Sequence, residues 1–579
     1  MNAKIGLASR GLHPFDLLIT NIRLLNVMTM EIYEAVLGIV EGDIAYAGPR
    51  LATHSAKETL DGEGMFAVPG LIDSHMHIES SMMTPAHFAQ AVLPLGTTSV
   101  CADPHEIANV LGEAGVALMA RACAGLPLTV HVMAPSTIPS APGFETSGAD
   151  IDAEAVRRML ALPGVLGLGE VMDFNGVAAG DARMLAICRA AREAGVPLDG
   201  HVPALHGESL QAFAAPGIDC DHTYMDPETV LEKLRLGMCV QIQERFLTRE
   251  LMEALNRLKV QNRVMLVTDD VPLTRLSAQG HLNAVMQKAM DLGLDPLLCY
   301  RYVTINAADR LRQHRVGALA PGRRADVVLL PDLRKVRPRV VLCAGRVVAR
   351  DGRMTVDIPD TPFPDAAYRT MRIKPLTLAD FAVRAKVSKG RARVHLIAQD
   401  GKTSRTVLEQ GDVPVQGGVV QNGPYTKMAV FCRHGSESRS LGFLSHMEGF
   451  RGALGTTYAH DCHNLTIYGT DDADMLLCAN RLIEAGGGVC AVQDGEVLSL
   501  IPLPIAGLLC EEDLPTLAPR LRAFLAAVKR TGLPHEEALT FMTLMPLAVS
   551  PCVKLTDKGL VDVLAKKMLP LIVCEEETP

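Results

Sequence analysis

Residues 66–77 read FAVPGLIDSHMH, an apolar run that stops on two histidines with one residue between them. In an extended strand alternate side chains share a face, so His75 and His77 point the same way. Two imidazoles at the end of a strand form half of a divalent-metal site. An isolated H-x-H pattern is weak. Here it gains weight from its position, directly after PGLID and at the start of a long run of similar segments.

That run continues with TTSVCADPH (97–105), LTVHVMAPS (128–136), VLGLGEVMD (165–173), VPLDGHVP (196–203), IDCDHT (218–223), CVQIQER (239–245) and RVMLVTDD (263–270). Helical stretches separate these short apolar segments, the rhythm of βα units around a parallel sheet. Eight such units between residues 69 and 315 match the size of a (β/α)8 TIM-like barrel. Nearly every apolar run ends in His, Asp or Glu. Barrel chemistry sits at the C-terminal ends of the strands, so the polar residues fall where a site is expected.

Flanking pieces share another signature. DLLITNIRLLNV (16–27) and AVLGIVEGDIAYAG (35–48) read as β segments between turns, and the first seventy residues read as β throughout. VGALAPGRRADVVLLPD (316–332) and VRPRVVLCAGRVVARDG (336–352) repeat the style. Residues 1–68 and 316–360 are therefore expected to form one small composite β-sandwich, with the barrel as a closed insert. From 361 to 579, strand-like runs such as RARVHLIAQ (391–399) alternate with helical ones such as LPTLAPRLRAFLAAVKRTG (514–532). A separate C-terminal α+β domain is expected there.

Composition narrows the classes. A 579-residue chain that is 48% hydrophobic and 21% charged is globular, not disordered. Aromatics are 4% and tryptophan is absent, so the cores must be aliphatic, with methionine filling gaps. A net charge of -9 gives no global reason to bind nucleic acid. Fourteen cysteines without a C-x-x-C pair read as buried thiols of a cytoplasmic protein. The N-terminus lacks the basic start and apolar run of a signal peptide, and no stretch approaches the roughly 20 apolar residues that span a bilayer.

Four further strand ends extend the histidine pair: Glu170, His201, His222 and Asp269. Together with His75 and His77 they can hold two divalent ions bridged by a carboxylate, an arrangement that acidifies a bound water and polarises a substrate. Each has a plainer alternative. Glu170 can cap a helix, His222 can lie on the surface, and Asp269 or Asp270 can be an N-cap. Six residues at five suitable strand ends favour the site.

VPGLIDSHMHIESSMMTP (68–85) resembles the opening of the amidohydrolase barrel, and HIESS followed by DPHEIANV (103–110) resembles the adenine deaminase family in particular. Further matches are GLGEVMDF (167–174), DGHVP (199–203), the DH at 221–222, TDD (268–270), GHL (280–282), APGRRAD (320–326), AHDCHN (459–464), GTDDADM (469–475), PLPIAGL (502–508) and LTDKGLVDV (555–563), which cover nearly the whole chain. The resemblance implies His75, His77, His201, His222 and Asp269 as ligands, and Glu170 as the bridging carboxylate where many relatives use a carbamylated lysine. It implies two divalent metal ions, manganese or iron with zinc as a further option, a small-molecule purine substrate and a homo-oligomer. The reaction implied is hydrolytic deamination of adenine to hypoxanthine and ammonia by a metal-activated hydroxide. In it Asp269 moves the proton and Glu244 is the candidate acid near the substrate, its plainer reading a surface carboxylate. His105 and Glu106 are expected to shape the pocket and orient ligands. Glu79, Ser80 and Ser81 either line the substrate or cap the helix that begins near Thr84.

The sequence departs from the family pattern in three places. DHT replaces D-H-E at Thr223, QERF replaces R-E-G-S at Gln243, Arg245 and Phe246, and LGTT replaces H-G-T-T at Leu95. Thr223 and Gln243 are thus expected on the substrate side, and a different aminopurine or amino-heterocycle is the runner-up substrate. A cyclic-amide hydrolase and a non-catalytic paralogue are the other readings. His460, Asp461 and His463 read either as a second metal site or, the favoured reading, as a structural network at a domain interface.

Overall fold

The run at residues 66–77 divides at Gly70 into two strands that serve different sheets. A Cβ on Gly70 would be driven into the side chain of Thr98, so only glycine lets the chain cross here. The computed structural model describes residues 3–50, 52–400, 405–533 and 537–577. The chain folds as two units, Met1–Pro104 with Met119–Ser136 and Asp152–Thr361, and His105–Leu118 with Thr137–Ile151 and Pro362–Pro579.

In the first unit, Phe66–Pro69 joins the two flanking β regions. It pairs parallel with Phe15–Asn26 and antiparallel with Val327–Leu330, at the centre of a nine-stranded sheet. Ile19, Leu24, Leu37, Ile44 and Ala67 from the N-terminal arm pack with Val327, Leu329, Val340 and Leu342 from the later arm in one core. One difference from the expected all-β start is the helix Ala3–Ser9. Its Ala8 closes a second small core with Phe15, Leu18, Val36, Val40 and Ala45.

The parallel strands follow in chain order: β1 (Leu71–His77), β2 (Thr97–Ala102), β3 (Thr129–Ala134), β4 (Val165–Val171), β5 (Leu198–Gly200), β6 (Cys220–Asp221), β7 (Cys239–Gln243) and β8 (Val264–Val267). Strands β1 to β5 form one parallel run and β6 to β8 another. After Thr268 the strand resumes as Asp269–Asp270, which pairs with Met76 and His77 of β1 and so curls the sheet closed. At the β5–β6 seam the Val202 N–H donates to Asp221 Oδ1 at 2.7 Å. Gly200 sits at the same seam, where a Cβ would be driven into the Cys220 carbonyl.

Ile72, Cys101, Met133, Cys220, Cys239 and Met265 form one interior layer, plugged by Ala307, Ala308, Leu311 and Val316. Compact thiol and thioether side chains fill the ring where aromatic ones would not fit. Surrounding helices start where an Asp or Thr side chain accepts N–H groups of the first turn, as at Asp152, Asp173, Asp226 and Thr248.

The second unit holds a ten-stranded sheet that includes Lys389–Gln399, Thr406–Gln416, Thr426–Phe431 and Leu465–Gly469, with a separate three-stranded sheet from Val553 to Leu569. The helix Asp472–Glu484 lays Met475, Cys478, Ala479 and Leu482 on Phe381, Phe431, Leu465 and Ile467. The fourteen cysteines are unbridged, and all but Cys552 and Cys574 are buried. Among the described residues no helix is long and apolar enough to cross a membrane.

Candidate functional site

The C-terminal ends of the barrel strands bring six of the sequence-predicted residues together. His77 Nε2 lies 3.0 Å from Glu170 Oε1 and 3.2 Å from Asp269 Oδ1. His75 Nε2 lies 3.6 and 3.4 Å from the same two oxygens. His201 Nδ1 and His222 Nε2 reach Glu170 Oε2 at 2.5 and 3.2 Å. Glu170 is thus the hub that every imidazole faces. His75 and His222 stack with ring centroids 3.8 Å apart. His201 is the most open member, its side chain 32% exposed, which puts it at the solvent edge.

The plainer readings of these residues do not describe the structure. The helix after Glu170, Phe174–Ala179, is capped by Asp173. The helix after Asp269 begins beyond Pro272, with no side-chain cap. His222 is buried, not superficial. Asp269 also holds a left-handed backbone, φ 58°, which is costly for a non-glycine residue and frequent at functional sites.

A carboxylate or carbonyl behind the first imidazoles fixes their orientation. His77 Nδ1–H donates to the Asp103 carbonyl at 2.9 Å, and His75 Nδ1 faces Asp199 Oδ2 at 3.3 Å. Both rings therefore turn Nε2 toward Glu170 and Asp269. The Asp103 carboxylate accepts the Glu170 N–H at 2.7 Å and Ser136 Oγ–H donates to the Glu170 carbonyl, so Glu170 is pinned on both sides. Asp199 is paired with the buried Arg310. Asp221 is paired with the buried Lys233 at 2.6 Å. Asp73 takes the Thr268 hydroxyl at 2.5 Å just before Asp269. The sequence reading missed these supporting aspartates. Their signal is the D-x-H or D-H spacing at 73–75, 199–201 and 221–222, which places a carboxylate one or two residues before a histidine.

Burial pushes the Glu170 carboxyl up, but His222, His201 and His75 outweigh it and hold it well below the usual carboxylate range. Asp269 behaves alike, burial opposed by His75 and His77. Burial also works against protonation of His75 and His77, and the facing carboxylates overcome it and raise both. His222 goes the other way, pushed down by burial and by stacked His75. His75, Glu170, His222 and Asp269 each offer a ligand atom within 4.8 Å of the others. His75 Nε2 has no hydrogen-bond partner though fully buried. Ionised carboxylates, oriented imidazoles and an unsatisfied Nε2 in one buried set suit divalent metal binding.

The remaining predicted residues make the following contacts. Ser80 Oγ sits 2.5 Å from Asp270 Oδ1 and 3.1 Å from the His77 carbonyl. Glu79 is buried in the single turn Ile78–Ser81, and Thr84 occupies the cap position of the next helix, Pro85–Val92. Thr223 spends its hydroxyl on Asp221 at 2.9 Å, and Gln243 donates its amide to the His222 carbonyl at 2.9 Å. Both brace the sixth-strand end. Glu244 ion-pairs with Arg275 and with Lys288, the latter at 3.2 Å. Arg245, one of the departures, reaches Asp269 Oδ2 at 3.5 Å. His105 and Glu106 belong to the second unit, where they meet His460 and His463.

Comparison with known proteins identifies the family. Residues 66–348 match the model of the amidohydrolase family, and residues 404–567 match the adenine deaminase C-terminal domain. An adenine deaminase of Moorella thermoacetica is 40% identical, the match covering 97% of this chain and 96% of that one. The chain belongs to the adenine deaminase family. Adenine deaminase 2 of Rhizobium meliloti is 39% identical over 99% of this chain and 97% of its own, and an adenine deaminase of a Ruegeria species is 36% identical over 97% and 96%. Family membership thus extends through both units.

Proposed function

We propose that this chain catalyses the hydrolytic deamination of adenine to hypoxanthine and ammonia at the ends of the barrel strands. The observation that carries the reading is the convergence of four imidazoles on Glu170 beside Asp269, in a chain that belongs to the adenine deaminase family. His75, His77, His201, His222, Glu170 and Asp269 would hold two divalent ions, manganese or iron. Bound there, the ions supply an acidified water and polarise the ring being attacked.

The residues supply position and proton transfer. Asp269 turns Oδ1 to the imidazoles and leaves Oδ2 on the side of Arg245, where it can take a proton. That proton passes to the departing amine, which leaves as ammonia. The water oxygen bonds to the amine-bearing ring carbon as the carbon–nitrogen bond breaks, and its second proton ends on a ring nitrogen. Asp103 and Asp199 hold His77 and His75 in one tautomer throughout. Ser80 and Asp270 stand beside this set and line the substrate side. We place the protein in the cytoplasm, as a homo-oligomer.

A panel assay tests the reading: ammonia release by manganese-loaded protein from adenine, other aminopurines, cytosine and hydantoins. Adenine is expected to be the best substrate. Turnover confined to another aminopurine would overturn the substrate, and ring opening of a hydantoin without ammonia would overturn the reaction class.

A further inference from the structure

His460, Asp461 and His463 do not stand alone: they assemble with His105 and Glu106 inside the second unit. Glu106 is fully buried and takes three imidazoles. His460 Nδ1 meets its Oε1, His463 Nε2 lies 2.5 Å from Oε2, and His105 Nε2 lies 3.6 Å from Oε1. Asp461 is buried beside them, with His460 Nδ1 3.8 Å from its Oδ1. His105, Glu106, His460 and Asp461 each offer one ligand atom, and the four lie within 4.8 Å of one another.

We propose that His105, Glu106, His460 and Asp461 form a binding site for one divalent transition-metal ion. Three observations carry it. First, Asp461 Oδ2 is buried without a hydrogen-bond partner, and Asp461 is aimed into the cluster. A carboxylate oxygen in that condition is costly unless a cation meets it. Second, among the described residues the groups paired with these carboxylates are imidazoles, with no lysine or arginine in their ion pairs. Two buried carboxylates then need positive charge from elsewhere, and a dication provides it.

Third, His463 is fixed in a role that orients a ligand. The Ala459 N–H donates to His463 Nδ1 at 3.1 Å, which makes Nδ1 the acceptor and leaves Nε2–H to donate to Glu106 Oε2. Glu106 is thereby turned so that Oε1 faces His105 and His460, the arrangement by which a hydrogen bond aims a ligating carboxylate. Two nitrogens and two oxygens suit Zn2+, Co2+, Fe2+ or Mn2+ and disfavour Ca2+ and Mg2+, which prefer all-oxygen sets. Tetrahedral ligands about 2.0 Å from an ion stand roughly 3.3 Å apart, so the cluster closes by about an ångström or less per side chain on binding.

The test uses the full chain stripped by chelator and titrated with Co2+, with bound cobalt counted after gel filtration. Wild type is expected to bind one equivalent more than Asp461→Asn and one more than Glu106→Gln, each variant checked by circular dichroism. The same count in wild type and in both folded variants would overturn the proposal. Anomalous diffraction from wild-type crystals at the cobalt edge decides the matter without any variant. A peak among His105, Glu106, His460 and Asp461 is expected. Its absence at saturating cobalt overturns the site, whatever peaks lie at the barrel residues.

Discussion

Asp269 carries the proton transfer proposed here, and its replacement should show it. A positioned general base contributes about 10²–10⁴ in rate, so Asp269→Asn should lower kcat by at least about 10²-fold while the circular dichroism spectrum stays native. His281 offers a second residue-scale prediction, on stability. It is buried between Thr97 Oγ1 at 3.1 Å and Thr268 Oγ1 at 3.5 Å, and burial lowers its pKa to about 3. Between that value and the ordinary 6.5 the unfolded chain binds a proton that the folded one does not, so stability falls as pH falls below 6.5. At pH 4.5 this one residue should cost on the order of 2–3 kcal/mol relative to pH 7. Urea unfolding of wild type and His281→Gln at both pH values checks it. The gap between them should move in the variant's favour by that amount at low pH, and an unchanged gap would refute the sign.

At the scale of elements, the strand ends depend on glycines that let neighbours approach. Gly169 of β4 lies against the Asp103 carboxylate, and Gly200 of β5 against the Cys220 carbonyl. Overpacking a tight site costs about 1–3 kcal/mol, so Gly200→Ala should lower stability in that range, measured by thermal unfolding. Asp103→Asn should act on metal instead. It weakens the acceptor that holds Glu170 and should reduce metal affinity about 10–100-fold, read by competition with a chromogenic chelator. Much of this architecture was legible in the sequence because period and punctuation coincide: all eight predicted strands form, and His75, His77, Glu170, His201, His222 and Asp269, at five of their ends, come together. The helix Ala3–Ser9 was not legible, because seven residues give too short a period and its burial depends on strands that arrive later in the chain. The partners of Glu244 were illegible for a related reason. Its place after β7 resembles a site position, but the cations that engage it, Arg275 and Lys288, come from helices whose approach no local pattern announces.

For the whole molecule, the six-residue site was legible because its members stand at the ends of five strands, whereas the second cluster was only half legible. AHDCHN advertised its histidines, but their carboxylate partner Glu106 lies more than 300 positions earlier in the chain. Only the fold of the second unit brings the two together. Thr223 and Gln243 show the converse: as departures they suggested altered specificity, yet their hydrogen bonds run to Asp221 and to the His222 carbonyl. Arg245 is the departure that reaches a site carboxylate, so Arg245→Ala should change KM for adenine more than Thr223→Ser does, checked by steady-state kinetics. The most direct measurement is conversion of adenine to hypoxanthine by manganese-loaded full-length protein, followed by chromatography for wild type and His77→Ala. Wild type is expected to yield stoichiometric hypoxanthine and ammonia, and the variant to lose at least about 10³-fold, the scale of removing an electrostatic or ligand group at a reacting centre. Adenine left unchanged by folded, metal-loaded wild type, or turned over equally well by His77→Ala, would contradict the proposed reaction.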